Sequence, residues 1–233
     1  MASSGNFAVW NKLAGTLSNA AGVDTLYEHG NTSFRGNDGS GNNGFSPLTL
    51  HMTSGKWYFE VEPTAKGGAN TDLIIGVSSS QVTANDNYLG QNANDYGYRG
   101  SGNKRTGGSG SSYGNSYDVN NIIGVALDLD NNKLYFSKGG QWSNGSGAWD
   151  STTFNAAVGA TDVSSILTGD IWFFACGTDT GEANNTFSAN FGNGYFGTTA
   201  ITSAGSNGNG SLFEYDVPTG YYALNTKNLG TQS

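Results

Sequence analysis

Two carboxylates, Glu60 and Glu62, alternate along the segment G-K-W-Y-F-E-V-E-P and form the most suggestive pair for acid–base chemistry. Residues two apart on a strand point to the same face, about 7 Å from each other. That separation falls within the range of the paired carboxylates of glycoside hydrolases. Acidic residues that alternate on a solvated sheet face more often serve solubility, and Asp128 and Asp130 have the same spacing. A glycanase is therefore the last of the functional hypotheses.

The other reactive side chains form no recognisable catalytic or metal-binding motif. His29 and His51 are the only histidines, and G-F-S-P at Gly44 lacks the G-x-S-x-G spacing of a nucleophile elbow. The cluster D-L-D-N-N, Asp128 to Asn132, lacks the pattern of a calcium loop, which needs about six to eight oxygen ligands, and a hairpin turn explains it. Cys176 lies in an apolar run, where a buried thiol behaves as a small hydrophobe. We expect no enzyme, no metal and no cofactor.

The composition favours one all-β domain with many turns. Of 233 residues, 37 are glycine, and only 12% are charged while 12% are aromatic. The net charge of −8, with ten Lys plus Arg, argues against nucleic-acid binding and against docking on an anionic membrane. No apolar stretch approaches the roughly 20 residues of a membrane span, and the first residues lack the features of a signal peptide. We therefore expect neither a membrane segment nor a secretory signal.

Period-two alternation predicts strands along most of the chain. In G-K-W-Y-F-E-V-E-P, proline cannot donate to a sheet ladder, so the strand is expected to end at Pro63. Further strands are predicted at residues 73–77, 171–177, 186–191 and 221–224. The strand at residues 171–177 is apolar on both faces, as expected for a strand covered on each side. On the first strand, one face carries Trp57, Phe59 and Val61, and the other carries Tyr58, Glu60 and Glu62.

The segment Ile122 to Phe136, I-I-G-V-A-L-D-L-D-N-N-K-L-Y-F, predicts a hairpin. Asp130 to Asn132 would form its turn, and Asp128 and Tyr135 would face outward. The apolar row on its other face comprises Ile123, Val125, Leu127, Leu129, Leu134 and Phe136.

Long loops rich in Gly, Ser, Asn and Tyr separate the strands, at residues 92–117, 142–149 and 198–211. Loops of this length are usually functional or disordered. The first contains little that would hold it together, apart from a short strand within residues 97–104. Its composition is like that of antibody paratopes, in which tyrosines supply contact area. Two interpretations stay open: a binding surface, or aromatic rings that pack under their own loops. The candidate binding residues are Tyr98, Arg99, Tyr113 and Trp142.

The order of motifs resembles the SPRY (B30.2) family over residues 45–196. The motifs are G-K-W-Y-F-E-V from Gly55, I-G-V from Ile75, G-Y-R-G-S-G-N-K from Gly97, and the stretch from Ile122 to Trp142, followed by A-N-F-G at Ala189. The resemblance implies an all-β, antiparallel two-sheet β-sandwich of the concanavalin-like jelly-roll kind. It implies loops at one face that bind partners, and no catalytic residues.

The two ends resemble those of SPRY proteins encoded by bacteriophages. The residues concerned are W-N-K-L and T-L-S-N within Trp10 to Asn19, and P-T-G-Y-Y-A-L-N-T-K-N-L from Pro218 to Leu229. Glycine-rich insertions at residues 107–114 and 198–210 depart from the commoner pattern. We expect a single domain over residues 1–233, in which residues 1–44 and 197–233 pack on the core.

The first functional hypothesis is therefore a non-enzymatic structural protein of a bacteriophage virion, as a capsid decoration or a tail- or fibre-associated protein. Its partners would be other virion proteins, and it would form a homo-oligomer. The alternative is a recognition module that binds a host-surface glycan or protein receptor. Neutral loops with aromatic residues suit an uncharged sugar, which needs hydrogen bonds and stacking faces rather than charge.

Overall fold

The computed structural model describes residues 5–16, 26–36, 44–83, 87–144, 149–151, 153–157, 161–162, 171–179 and 185–231. Within these ranges, two single-turn 3-10 helices, His29–Asn31 and Asn70–Asp72, and one four-residue helix, α1 Thr226–Leu229, accompany the strands. In chain order the strands are β1 Gly15–Thr16, β2 Leu26–Glu28, β3 Ser33–Gly36, β4 Phe45–Pro47, β5 Lys56–Ala65, β6 Leu73–Ser78, β7 Val82–Thr83, β8 Asp95–Arg99, β9 Asn103–Thr106, β10 Ser109–Ser112, β11 Ile123–Asp128, β12 Lys133–Lys138, β13 Gln141–Ser143, β14 Trp149–Ser151, β15 Thr161–Asp162, β16 Phe173–Thr178, β17 Asn185–Asn190, β18 Tyr195–Phe196, β19 Thr199–Ala200 and β20 Tyr222–Ala223.

Two antiparallel sheets make up the sandwich. The larger sheet has the order β14-β13-β12-β11-β5-β17-β3-β2, with β15 beside β12 and β20 parallel to β5. The smaller sheet has the order β10-β9-β8-β6-β16-β4. The inner faces meet in one apolar core, where the ring of Phe59 in β5 lies 4.4 Å from that of Phe174 in β16. The all-β, two-sheet prediction is confirmed.

The predicted alternation on β5 and the predicted hairpin are both confirmed. Trp57, Phe59 and Val61 lie fully inside the core between the sheets. In the hairpin, β11 pairs with β12 so that Leu127 lies opposite Leu134. The Asp128 carboxylate accepts the backbone N–H of Asn131 at 3.0 Å and so closes the turn. An Asp side chain that bonds its own backbone a few residues on is a common way to fix such a turn.

Strand β5 does not end at Pro63, so that prediction is wrong. The pairing of β5 with β11 ends at Val61, and beyond it the carbonyl of Pro63 accepts the N–H of Asn120 at 2.8 Å. The missing N–H of proline therefore falls on a side where β5 has no ladder partner, which is the position that a sheet tolerates. On the other side, Pro63 lies opposite Phe187 of β17.

The second face of β5, β11 and β12 is not solvated, in contrast to the sequence prediction. Tyr58 and Glu60 are 0% exposed, and Asp128 and Tyr135, which were expected to face outward, are 2% and 3% exposed. Residues 213–223, which we call the C-terminal cover, lie over this face, and the ring of Phe213 lies 4.9 Å from that of Tyr58. The result is a second apolar cluster, which comprises Tyr58, Ala126, Tyr135, Trp142, Phe213, Val217, Tyr221 and Ala223.

The two end segments lie together on the sandwich. Phe7 and Asn225 form an antiparallel bridge, and the N–H of Ala8 donates to the carbonyl of Leu224 at 3.0 Å. Trp10 is fully buried, and its indole N–H donates to the carbonyl of Thr32 at 3.0 Å. The residues that resemble phage SPRY ends are therefore, where described, part of the packed structure.

Candidate functional site

The predicted loop at residues 92–117 is an antiparallel meander of β8, β9 and β10, not a long loop with one short strand. Gly107 and Gly108, with φ of 57° and 74°, form the turn between β9 and β10. Positive φ at both central residues is what a two-residue type I′ hairpin turn requires. Residues 107–112 are all exposed, so this hairpin projects from the sandwich. We call residues 103–112 the hairpin arm.

The hairpin arm is held at both ends. At its tip, the N–H groups of Gly107 and Gly108 donate to the carbonyls of Asn92 and Gly90, at 3.0 and 3.1 Å. At its base, the N–H of Tyr113 donates to the carbonyl of Gly102 at 3.1 Å. The arm therefore presents β10 to solvent in a fixed position.

Strand β10 is an edge of the smaller sheet. In a two-residue hairpin, the residues that flank the turn exchange both hydrogen bonds, and the pattern then alternates along the strands. Because Ser109 lies opposite Thr106, Ser109 and Ser111 bond to β9, whereas Gly110 and Ser112 direct their N–H and C=O groups outward. Within the described residues, no group pairs with this outer side. The edge also carries no charge, proline or bulge, the usual devices that prevent strand addition.

Tyr98 and Tyr113, two of the predicted binding residues, lie beneath the hairpin arm. They are 0% and 2% exposed, and their ring centroids are 5.3 Å apart, each next to Phe136. The hydroxyl of Tyr98 donates to the carbonyl of Asn115. Burial raises the pKa of both phenols, so they remain protonated donors. Their side chains support the arm from inside, which is the second of the two interpretations of the sequence, and a direct binding role stays a prediction.

Arg99 lies on the opposite face of β8 from Tyr98, because neighbouring residues on a strand point to opposite faces. Its guanidinium donates to the carboxylate of Asp179 and, at 2.7 Å, to the carbonyl of Thr71. Arg105 also reaches Asp179, at 3.1 Å, and lies over the ring of Tyr88. Arg99 therefore ties β8 to the end of β16, and its charge is balanced within the fold.

Trp142, the fourth predicted residue, lies on the larger sheet and not with the other three. It is 6% exposed and belongs to the second apolar cluster, with its ring 4.9 Å from that of Phe154. It also lines a surface cleft of about 590 Å³ beside the C-terminal cover. The loop predicted at residues 142–149 falls partly outside the described residues. The cleft is lined by Trp142, Thr153, Phe154, Asn155, Ala156, Asn207, Asp216, Val217, Pro218 and Thr219.

Glu60 is not placed to act on a polysaccharide. Its carboxylate is 0% exposed and accepts the N–H groups of Glu214 and Tyr215, at 2.8 and 2.9 Å, and the hydroxyl of Tyr58 at 3.0 Å. Burial raises its pKa to about 7, against the lowering effect of these hydrogen bonds. The group that sequence analysis assigned to a solvated face instead fastens the C-terminal cover to β5. It is unavailable for the paired-carboxylate chemistry considered for Glu60 and Glu62.

One serine–histidine contact has the atoms of a nucleophile and a base. Nδ1 of His29 lies 3.0 Å from the hydroxyl of Ser33, which in turn lies 2.8 Å from that of Ser188. Ser33 is 3% exposed, and Gly197 packs so closely over it that a methyl group there would come within 2.8 Å of its hydroxyl. A substrate could not reach this serine, so we assign the three side chains to packing between β3 and β17.

No group of three or more His, Cys, Asp or Glu residues is placed to hold a metal ion in the described ranges. Within those ranges, too, no helix has the length and apolar character needed to cross a bilayer.

Comparison with known proteins agrees with this architecture. Residues 56–165 match the family model described as SPRY domain. This part of the chain is therefore similar to SPRY domains. SPRY domains are generally protein–protein interaction modules and are typically non-catalytic. The matched range contains β5 to β15 and the whole hairpin arm.

A solved structure shows the same fold. The crystal structure of the SPRY domain of human HERC1 superposes with a TM-score of 0.52 at 18% identity, and the match covers 71% of this chain and 91% of that chain. At this identity the likeness concerns the fold alone. The bacteriophage particle predicted from the two end segments stays a prediction.

Proposed function

We propose that this SPRY-like domain is a non-catalytic interaction module that binds an extended segment of a neighbouring protein along the outer edge of β10. The observation that carries the proposal is the open edge itself. Gly110 and Ser112 present four backbone groups to solvent on a hairpin arm that is fixed at its tip and base. An added strand would pair with these groups by the same hydrogen bonds that join β10 to β9.

The side chains of β10 suit strand addition by different sequences. Residues 109–112 read S-G-S-S, and all four are exposed. Such small, uncharged side chains leave both faces of the new pairing free of steric conflict, so main-chain bonds would supply the recognition. At four residues, β10 is short enough to limit indiscriminate pairing, since very short edge strands resist aggregation.

The small binding free energy expected for this contact suits an assembly in which many neighbouring proteins are held close together. Four backbone hydrogen bonds contribute roughly 2–6 kcal/mol, at about 0.5–1.5 kcal/mol each. Association costs about 4–15 kcal/mol in lost freedom of motion, so one edge alone binds weakly. Neighbours that are already assembled raise the effective concentration of the segment and make weak contacts sufficient. A virion has this character, and other virion proteins are the partners that the phage-like ends Trp10 to Asn19 and Pro218 to Leu229 suggest.

The test replaces Ser111 on the hairpin arm with a photoreactive amino acid. The matched control carries the same amino acid at Leu212, which is 50% exposed and lies outside the hairpin arm. We expect the Ser111 position to give one cross-linked neighbouring protein in cells that assemble the particle, and the Leu212 position not to give it. Cross-links from neither position, or the same products from both, would contradict the proposal. Cross-links only between two copies of this chain would also contradict it.

A second pair of variants tests the pairing itself. Ser112→Pro removes an outward N–H and adds a ring on the open side, while the bonds to β9 remain. Ser112→Ala keeps the N–H. We expect the proline variant to lose the cross-link at Ser111 and the alanine variant to keep it, with equal thermal unfolding midpoints. Equal cross-linking by the two variants would show that β10 does not bind through its main chain.

Recognition of a host surface is the second candidate function. The observation that favours it is the cleft beside Trp142, which lies on the other sheet from the hairpin arm and therefore does not depend on strand addition.

A further inference from the structure

The cleft between the segment 153–156 and the C-terminal cover has the composition of a ligand site. Its volume of about 590 Å³ falls within the usual range of ligand pockets, about 300–1,000 Å³. The described lining combines two aromatic rings with amide, hydroxyl and carboxylate groups, and none of these residues is a lysine or an arginine. We propose that this cleft binds a neutral saccharide. This inference rests on the second candidate function, recognition of a host surface, and uses none of the residues of the hairpin arm.

The apolar part of the cleft is rigid. The ring of Phe154 meets three others edge to face, Tyr135 and Trp142 at 4.9 Å and Tyr221 at 5.5 Å. The hydroxyl of Tyr135 also donates to the carbonyl of Ala156 at 3.0 Å, which fixes the chain beside Phe154. Phe154 itself remains partly exposed. A fixed, partly exposed ring offers the C–H face of a sugar a surface against which to pack without loss of side-chain freedom.

The polar part supplies both kinds of hydrogen-bonding group. Asp216 is exposed, and its carboxylate accepts the N–H of Ser206 at 2.6 Å, a bond that lowers the pKa of Asp216 and keeps it an ionised acceptor. The carbonyl oxygen of Asn155 accepts the N–H of Ala157 at 2.9 Å, which turns its amide NH₂, a donor, toward other partners. Each sugar hydroxyl both donates and accepts, so a site for it needs both groups. Asp216 and Asn155 provide them at one cleft.

The charge of the described lining disfavours anionic ligands. Among the described residues that line the cleft, Asp216 alone is ionisable, so phosphate, sulfate and sialic acid groups would meet its negative charge with no compensating cation from these residues. An uncharged, hydroxyl-rich ligand therefore fits the lining best.

The test is a glycan array that carries neutral, sialylated and sulfated oligosaccharides, with a peptide array in parallel. Isothermal titration with the best neutral oligosaccharide then compares the intact protein with Asp216→Asn and Asn155→Ala. Both residues are exposed, so we expect both variants to fold with unchanged unfolding midpoints and to bind about tenfold more weakly or worse. Tyr195→Ala, at an aromatic residue that is 48% exposed and outside the cleft, is the control and should bind as the intact protein does.

Three results would overturn the proposal: no binding of any neutral oligosaccharide, binding only of acidic sugars or of peptides, or neutral binding that neither cleft variant weakens. Ser112→Pro should leave saccharide binding unchanged. Failure of strand addition at the hairpin arm and failure of saccharide binding at the cleft are therefore separate outcomes.

Discussion

The carboxylate of Glu60 accepts the backbone N–H of Tyr215 at 2.9 Å, across 155 residues of sequence. The same carboxylate accepts the N–H of Glu214 at 2.8 Å, so one side chain of the central strand β5 holds two successive residues of the C-terminal cover. This cover buries the second apolar cluster and forms one wall of the cleft. Glu60 therefore links the stability of the sandwich to the shape of a candidate ligand site.

Glu60 makes stability depend on pH in an unusual direction. Burial raises its pKa in the folded protein to about 7, above its ordinary value of 4.5. The folded state thus binds the proton more tightly than the unfolded state, and stability falls as pH rises. The contribution is fully present below about pH 4.5 and is lost as pH rises through about 7, by roughly 3 kcal/mol in all. Urea unfolding at pH 5 and pH 8 should show the decrease.

Glu60→Gln is the matched control for this prediction, because glutamine is isosteric and does not titrate. We expect its unfolding free energy to change less between pH 5 and pH 8 than that of the intact protein. Glu62, whose pKa burial also raises, remains in both proteins, so the comparison isolates Glu60. An identical pH dependence in the two proteins would show that Glu60 does not titrate in this range.

Substitution of Tyr98 should lower the unfolding free energy of the protein, whether or not Tyr98 also contributes to binding. Because its ring is fully buried against Tyr113 and Phe136, Tyr98→Ala is expected to lower the unfolding free energy by about 3–5 kcal/mol. Tyr98→Phe loses the hydrogen bond to the carbonyl of Asn115 and should cost about 1 kcal/mol. Denaturant unfolding measures both. If Tyr98→Ala were as stable as the exposed variant Tyr195→Ala, Tyr98 could not be a support of the hairpin arm.

Cys176 should be unreactive in the folded protein. Burial raises the pKa of its thiol well above the usual range, and the side chain is 0% exposed in β16. Modification by a thiol reagent is therefore expected only at the rate at which the protein unfolds, and at once in denaturant. An engineered Ser111→Cys on the hairpin arm provides the exposed control. Equally fast labelling of both thiols in buffer would contradict the burial of Cys176.

Gly76 explains why glycine stands in the I-G-V motif. A methyl group on Gly76 of β6 would come within 1.9 Å of the carbonyl oxygen of Tyr96 on β8, so alanine must force the two strands apart. We expect Gly76→Ala to destabilise the protein by about 1–3 kcal/mol or more. At Gly110 the nearest atom would be 3.5 Å away, and Gly110→Ala should change stability by less than about 0.5 kcal/mol. Comparable losses in the two variants would contradict this close approach.

Local sequence patterns predict the sandwich because alternation along each strand, and turn residues between strands, determine its strands and hairpins. The alternation of Trp57, Phe59 and Val61 assigns one face of β5 to the core, and D-L-D-N-N marks the β11–β12 turn. Alternation states which residues share a face but not what covers that face. Alternation alone assigns Glu60 to a solvated face, because the groups that bury it, at Glu214 and Tyr215, lie more than 150 residues away in the chain.

The candidate sites were harder to predict for the same reason. The loop that contains Tyr98 and Tyr113 has a composition typical of contact surfaces. Composition does not distinguish an aromatic ring that contacts a partner from one that packs beneath its own strand. The sequence predicts no strand at β10, because S-G-S-S contains a glycine and no β-branched or aromatic residue. One signal was present: Gly107-Gly108 between N-K-R-T and S-G-S-S has the spacing of a two-residue hairpin turn. For the cleft, no local pattern connects Phe154 with Asp216.

Partner binding along β10 is tested most directly by residue-resolved amide hydrogen exchange. The exchange is measured in the free protein and in its non-covalent complex with the partner that the Ser111 cross-link identifies. In the free protein, we predict slow exchange at Ser109 and Ser111, which bond to β9, and fast exchange at Gly110 and Ser112 on the open edge. In the complex, Gly110 and Ser112 should slow by about tenfold or more. If they are as slow as Ser111 in the free protein, or unchanged in the complex, partner binding along β10 is contradicted.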